Sequence, residues 1–274
     1  MVSTREIMSL ALSLADFEEA PPDTAIYVEG ENIKKVLVGI DVEAAELMLA
    51  KQLGYDAVIS HHPKGGKAVI NFHEVFDRHV EQMVEAGVPV EAAKKVVEKK
   101  RRALEVEMHT RNYDYAVSVA KLLNMPYMNI HTPLDEIGRR RMKTQIEHKV
   151  GAKENATVDD VVSALKELPE FSKAVTDIKI RLGKGSNKAG KVVVSHGAGT
   201  NGGYEVAKTY FKYGIGTIVY IHVSVSDLEK LRADGVGNLL VTGHIASDSL
   251  GINPFISELE RRGISVTRIG IVPP

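Results

Sequence analysis

Histidines and acids stand in this chain where strands are expected to end. A short apolar run at 55–60 leads straight into His61-His62-Pro63. A second apolar stretch leads into His131-Thr132-Pro133-Leu134-Asp135, and a third, at 238–242, leads into Gly243-His244 with Asp248 four residues on. Imidazole nitrogens and carboxylate oxygens ligate divalent transition metals. Four histidines and two acids arriving this way from distant parts of the chain read as one metal site assembled by the fold. Zinc, manganese, iron, nickel and cobalt suit this donor set better than magnesium or calcium. Carboxylates can bridge two ions about 3.5–4 Å apart, activating a water between them and clamping a carbonyl or phosphoryl oxygen. Asp135 and Asp248 are the candidates for bridging.

Composition narrows the chemistry. The chain has no cysteine, which excludes disulfides, thiolate ligands and a thiol nucleophile and leaves histidine and carboxylates to hold metal. Lys and Arg number 35 against 36 Asp and Glu, so net charge gives no argument for a nucleic-acid partner. The longest apolar runs are strand-length, far short of the roughly 20 residues of a membrane span. The start, Met-Val-Ser-Thr-Arg-Glu-Ile, lacks the charged head and apolar core of a signal peptide, so the expected setting is cytoplasmic.

The elements that must position these groups follow from periodicity. Residues 3–15 read as a helix that Thr4 can cap, with Ile7, Leu10, Ala11 and Leu14 on one stripe. A Pro-Pro-Asp turn at 21–23 follows. A βαβ unit comes next: strand 35–40, helix 42–53 closed by Gly54, and strand 57–60, the strands apolar enough for a parallel sheet buried on both faces. Residues 72–105 read as charged helices broken at Gly87-Val88-Pro89. A helix at 113–123 leads to strand 127–130, and Thr157 with Asp160 caps a helix over 156–168.

The second half repeats this pattern, with strand 191–195, helix 204–213, Gly214 and strand 217–221. A third unit follows: strand 238–242, helix 253–262 and strand 265–268. The expected architecture is therefore α/β, two similar βα-repeat halves (1–145 and 146–274, or one intertwined domain) with largely parallel or mixed sheets. Right-handed crossovers would bring the histidine-bearing strand ends to one edge of one sheet, lining a metal cleft.

Each piece also has a plainer meaning. His61-His62 alone fits a surface or core pair. Thr132-Pro133-Leu134-Asp135 reads equally as a helix start, with Thr132 as N-cap and Asp135 as capping-box carboxylate, and Asp248 fits an N-cap for the last helix. Gly197-Ala198-Gly199-Thr200-Asn201-Gly202 matches G-x-G-x-x-G between a strand and a helix. It suits a tight turn or a phosphate pocket better than a dinucleotide site, because no ribose-binding acid ends the next strand. His196 and His222 end the strands flanking that loop and read as core or surface histidines, or as groups lining the same cleft that shuttle protons. His73, His79, His109 and His148 sit in polar, helical surroundings and carry no signal.

Four stretches stand together in order and spacing: VLVGID at 36–41, DAVISHHP at 56–63, HTPLD at 131–135 and TGHIASDSLG at 242–251. With them the chain resembles the short form of the NGG-one interacting factor three-like family, also known as GTP cyclohydrolase I type 2 homologues. The resemblance implies two similar α/β halves, a dinuclear metal centre in the cleft between them, and a toroidal homohexamer built as a trimer of dimers. Position by position it implies His61, His62, Asp135, His244 and Asp248 as ligands, with His131 beside or on the metal. Four departures stand out, one being that residues 72–115 are longer than usual and more helical. Asp248 takes the place of the family's usual glutamate, the early Asp-Asn-x-Gly-Leu segment is not recognisable around 23–30, and a glutamate–histidine motif is reduced to Ile221-His222-Val223-Ser224. The activity implied is hydrolysis of a nucleotide-like or phosphorylated small molecule by water activated at the ions, with His131 or His196 moving protons. The competing expectation is a non-enzymatic metal-binding adaptor or regulatory ring, whose charged segments 94–102 and Arg139-Arg140-Arg141 would meet partners.

Overall fold

The computed structural model describes residues 2–274. In chain order the elements are α1 (Thr4–Leu14), β1 (Ala25–Val28), β2 (Lys35–Gly39), α2 (Ala44–Gln52), β3 (Ala57–Ser60), α3 (Gly66–Ile70), α4 (Phe72–Val75), α5 (Arg78–Glu85), α6 (Val90–His109), α7 (Tyr115–Leu122) and β4 (Tyr127–Asn129). They continue with α8 (Thr132–Val150), α9 (Val158–Lys166), α10 (Pro169–Lys173), β5 (Lys179–Leu182), β6 (Lys191–Val194), α11 (Gly203–Lys212), β7 (Ile215–Tyr220), α12 (Val225–Asp234), β8 (Asn238–Val241), α13 (His244–Arg261) and β9 (Ser265–Ile269). Local signals mostly act as expected. Gly54 adopts φ 68° behind α2, and Thr157 with Asp160 forms the capping box of α9. The first helix is capped by Ser3 with Glu6 rather than by Thr4, whose side chain turns to the Gly30 carbonyl.

The strands form two sheets, ordered β1-β4-β3-β2-β9 and β5-β8-β7-β6. In each, an antiparallel edge strand (β1 or β5) pairs with the fourth strand of its set, and the remaining pairs are parallel. The order 1-4-3-2 therefore occurs twice, which is the internal repeat seen as topology; β9 then adds to the first sheet beside β2. The expectation that all the histidine-bearing strands belong to one sheet is corrected: β3 and β4 lie in the first sheet and β8 in the second. Strand 265–269 continues the first sheet although it follows β8 in sequence.

The chain forms two compact units from interleaved segments. One comprises the segment ending at Val75, Arg102–Ile137 and Gly251–Ile271; the other comprises Phe76–Arg101, Gly138–Leu250 and Val272–Pro274. The division near residue 145 read from the sequence falls within α8. In the first unit the period-2 alternation of strand side chains separates two cores. Val36, Val38 and Ile59 face α1 and the apolar residues of α13 on one side. Leu37, Val58 and Tyr127 face α2 and α7 on the other. In the second unit Val194, Val219 and Leu240 pack against Met142, Ile146, the apolar face of α9 and Leu250.

The last helix starts nine residues before the expected 253 and runs through Pro254. Proline has no N–H to offer the carbonyl four residues back, here Leu250, and normally ends or kinks a helix. The guanidinium of Arg141 supplies the missing donor, with Nη1 2.6 Å from the Leu250 oxygen. That substitution lets one helix carry His244 and Asp248 in its first turns rather than leaving them in a loop.

Candidate metal centre

In the first unit the ladder between β2 and β3 continues past Ser60: the amides of His61 and His62 donate to the carbonyls of Gly39 and Ile40. Mid-strand, these two side chains would face opposite ways. At this strand end their rings lie 5.2 Å apart, and His131, two residues past β4, brings its ring to 4.9 Å from His61 and 5.5 Å from His62. One ligand atom from each of the three falls within 4.8 Å of the others. Asp135, one helical turn beyond His131 in α8, joins them. Its Oδ1 is 3.1 Å from His61 Nε2 and its Oδ2 3.6 Å from His131 Nε2. The Thr132–Asp135 segment starts a helix, but Thr132 is its first residue rather than its N-cap and gives its hydroxyl to Asp23, and the helix aims Asp135 at the imidazoles.

Each imidazole is held through Nδ1. His61 Nδ1 is 3.0 Å from the Ile130 carbonyl, His62 Nδ1 3.0 Å from Asp41 Oδ1, and His131 Nδ1 2.6 Å from Asp23 Oδ2. These partners only accept, so each Nδ1 carries the hydrogen and Nε2 carries the lone pair that a metal would take. Asp23 is fully buried and also takes the hydroxyls of Thr132 and Thr24. Tyr27 ties the pieces together. Its hydroxyl accepts the amides of Lys64 and Gly65 just past the His-Pro turn and donates to Asn129, whose side-chain amide donates to the Asp23 carbonyl. Phe72 stacks on the His131 ring at 5.8 Å.

Electrostatics fit these contacts. Burial pulls the His131 imidazole down, but the carboxylates of Asp135 and Asp23 outweigh it and hold the group above the ordinary histidine value. The hydrogen bond from His62 and the neighbouring Lys64 ammonium hold the Asp41 carboxyl well below the carboxylate range. Burial pushes the Tyr27 phenol up to about 12, so it remains a donor at neutral pH.

In the second unit the repeat yields a related pair. His244 and Asp248 are four residues apart at the start of α13, as His131 and Asp135 are at the start of α8, with His244 Nε2 3.4 Å from Asp248 Oδ2. Asp248 is buried and His244 half-exposed; Asp248 occupies the second turn rather than an N-cap. The His222 ring lies 4.8 Å from that of His244. His196 is buried just past β6, its carbonyl taken by Gln82 Nε2 at 2.6 Å.

Sequence reasoning missed four residues. Asp23 looked like part of a turn, and its partner is 108 positions away. Asp41 closes a strand and carries no signal of its own. Asn201 was absorbed into a glycine motif. His79 is completely buried, with Nε2 2.8 Å from the Thr200 carbonyl, and is no surface histidine.

Comparison with known proteins identifies the family and the fold. The family model described as Duf34/NIF3 (NGG1p interacting factor 3) matches residues 25–271. A NIF3 superfamily protein from Sphaerobacter thermophilus is 48% identical, with 98% of each chain covered and a TM-score of 0.96. Reduced HcgD from Methanocaldococcus jannaschii (12% identity, 98% of each chain, TM-score 0.57) shares the fold. So does the hypothetical protein SA1388 of Staphylococcus aureus (14%, 97% of this chain and 96% of that one, TM-score 0.54). No curated protein matches. Among the described residues no helix is long and apolar enough to cross a membrane.

Proposed function

The chain belongs to the Duf34/NIF3 family, and from that premise we propose a metal-dependent hydrolase acting on a nucleotide-like or phosphorylated small molecule. His61, His62 and Asp135, with His244 and Asp248, would hold two divalent transition-metal ions, with His131 beside or on the metal. The observation that carries this reading is the shared Nδ1 anchoring of His61, His62 and His131, which presents Nε2 from each ring in the manner of metal-bound histidines. The contact between His61 and Asp135 supports it. With Nδ1–H given to Ile130, a neutral His61 sets its Nε2 lone pair 3.1 Å from a carboxylate oxygen, and two acceptors at that distance call for a cation or a proton between them. The donor set therefore fits a transition metal. Two His-x-x-x-Asp pairs, one in each repeat, support a count of two.

When bound, such ions supply Lewis acidity toward a phosphoryl or carbonyl oxygen and lower the pKa of water. The protein's own groups do the rest. Asp23 and Phe72 fix His131, which we assign to proton transfer together with His196. Asp135 sets one oxygen beside Nε2 of His61 and the other beside Nε2 of His131, so that the acid and both rings face one position. A homohexamer is proposed on the resemblance. Apolar side chains on the outer surfaces of α2 and α7, among them Met48 at 60% and Leu122 at 84% exposure, support self-association.

Metal analysis by plasma mass spectrometry on untagged protein, beside the His61→Ala/His62→Ala variant, tests the reading. About two transition-metal ions per chain, lost in the variant, is the expected result and directs a screen of phosphoesters and nucleotides. Wild-type protein that contains no metal and takes up no added zinc, manganese or iron overturns it.

A further inference from the structure

The repeat places His62 and His222 at equivalent points, each the second residue past its strand (β3 or β7). Each ring is held through Nδ1, but with opposite polarity. Asp41 accepts from His62, which puts the hydrogen on Nδ1. His222 instead faces Asn201, whose orientation is set by a third group. The Gly203 amide, which can only donate, lies 2.9 Å from Asn201 Oδ1. The other amide atom, Nδ2, is therefore the one 2.8 Å from His222 Nδ1, and an amide nitrogen only donates. His222 Nδ1 must accept, and its hydrogen resides on Nε2. Nε2 therefore carries a lone pair in His62 and a hydrogen in His222.

We propose that His222 is a substrate-binding donor rather than a metal ligand, holding an anionic oxygen of the substrate, a phosphoryl oxygen foremost, beside His244, with Asn201 as its positioning residue. The proposal rests on the reading of His244 and Asp248 as metal ligands. It also gives the glycine motif a purpose. Helix α5 grips the loop through three carbonyls: Gln82 takes that of His196, Arg78 that of Gly197 and His79 that of Thr200. The conformations at Gly197 and Gly199 (φ 69° and 77°) let the chain make this turn. The loop so held delivers Asn201 to both the first amide of α11 and the His222 ring. A G-x-G-x-x-G loop here builds a tautomer lock, with the phosphate-binding contact moved onto the histidine.

Long-range proton–nitrogen NMR of full-length protein labelled with nitrogen-15 at histidine, with His222→Gln to assign the signals, reads the tautomer directly. The expected wild-type result is hydrogen on Nε2. Asn201→Asp keeps an acceptor for the Gly203 amide but can only accept from His222, and should move the hydrogen to Nδ1. Calorimetry with inorganic phosphate on zinc-loaded protein reads the role. His222→Ala and Asn201→Asp should weaken phosphate about tenfold at unchanged zinc content, and His222→Gln, which keeps a donor, should recover part of the loss. Hydrogen on Nδ1 in the wild type overturns the proposal, as does zinc-loaded wild type that ignores phosphate, or a fully zinc-loaded His222→Ala that binds it normally. Failure of the wild type to load zinc is a different result, which removes the metal reading and this role together.

Discussion

Asp23 and His131 form a buried carboxylate–imidazole pair at 2.6 Å across 108 residues of sequence. The acid two residues before β5, as Asp23 is two before β1, is Asp177, which is exposed and pairs with Lys166 and Lys179. The two His-x-x-x-Asp pairs are thus chemically unequal. Carboxylates behind ligating histidines typically contribute 10- to 100-fold to metal affinity. Asp23→Ala is expected to weaken the metal bound by the first unit by about that factor, whereas Asp177→Ala changes nothing. Competition against a chelating dye measures both; equal effects would contradict the asymmetry.

Metal loading should also appear as stability. An ion that binds only the folded state adds about 2.7 kcal/mol at one hundred times its Kd. Thermal unfolding with and without zinc should show a clear upward shift in wild type and none in His61→Ala/His62→Ala. A shift surviving in the double variant would place the ion elsewhere.

His79 predicts an acid-side loss of stability. Burial holds its imidazole down at about 4, against 6.5 for a free histidine. Above pH 6.5 the group is neutral folded or unfolded and contributes no slope. Between 6.5 and 4 only the unfolded chain takes up the proton, so stability falls with falling pH, by about 3 kcal/mol across the window. His79→Gln keeps a donor for the Thr200 carbonyl and cannot titrate, so urea unfolding from pH 7 to 4.5 should show a shallower decline than wild type. Superimposable pH profiles would assign the loss to other groups.

The proline in α13 makes Arg141 a structural residue. Its guanidinium caps the Leu250 carbonyl and pairs with the buried Glu170 at 3.0 Å. Arg141→Ala leaves both without that donor and should cost about 3–5 kcal/mol. Pro254→Ala restores the helix's own donor and should recover part of the loss in the double variant. Urea denaturation of the four proteins in this cycle checks it, and strict additivity would deny the coupling.

The strand-end histidines and the acid after each were legible because strand, turn and helix start are local signals, and the chemistry sits at their junctions. His61, His62 and His131 converge as the sequence suggests. The sheet assignment was not legible: β9 pairs with β2, some 230 residues earlier, and no periodicity reports a partner at that range. The same holds for Asp23. A carboxylate after two prolines looks identical whether it closes a turn or holds an imidazole on another strand. Asn201 was hidden differently, since its role depends on which atom of its amide faces which neighbour, and hydrogen-bond polarity leaves no trace in spacing.

The late arrival of β9 has a consequence for how the chain is made. On the ribosome the second sheet has all its strands once residue 241 has emerged, because β5 to β8 lie within 179–241. The first sheet must wait for residues 265–269 before the edge of β2 is covered. Until then a strand of Val36, Leu37 and Val38 has one unpaired side, a surface open to pairing with another chain. Folding order can therefore run against synthesis order: the second sheet can close first, and the sheet holding the paired histidines is sealed by a strand translated after it.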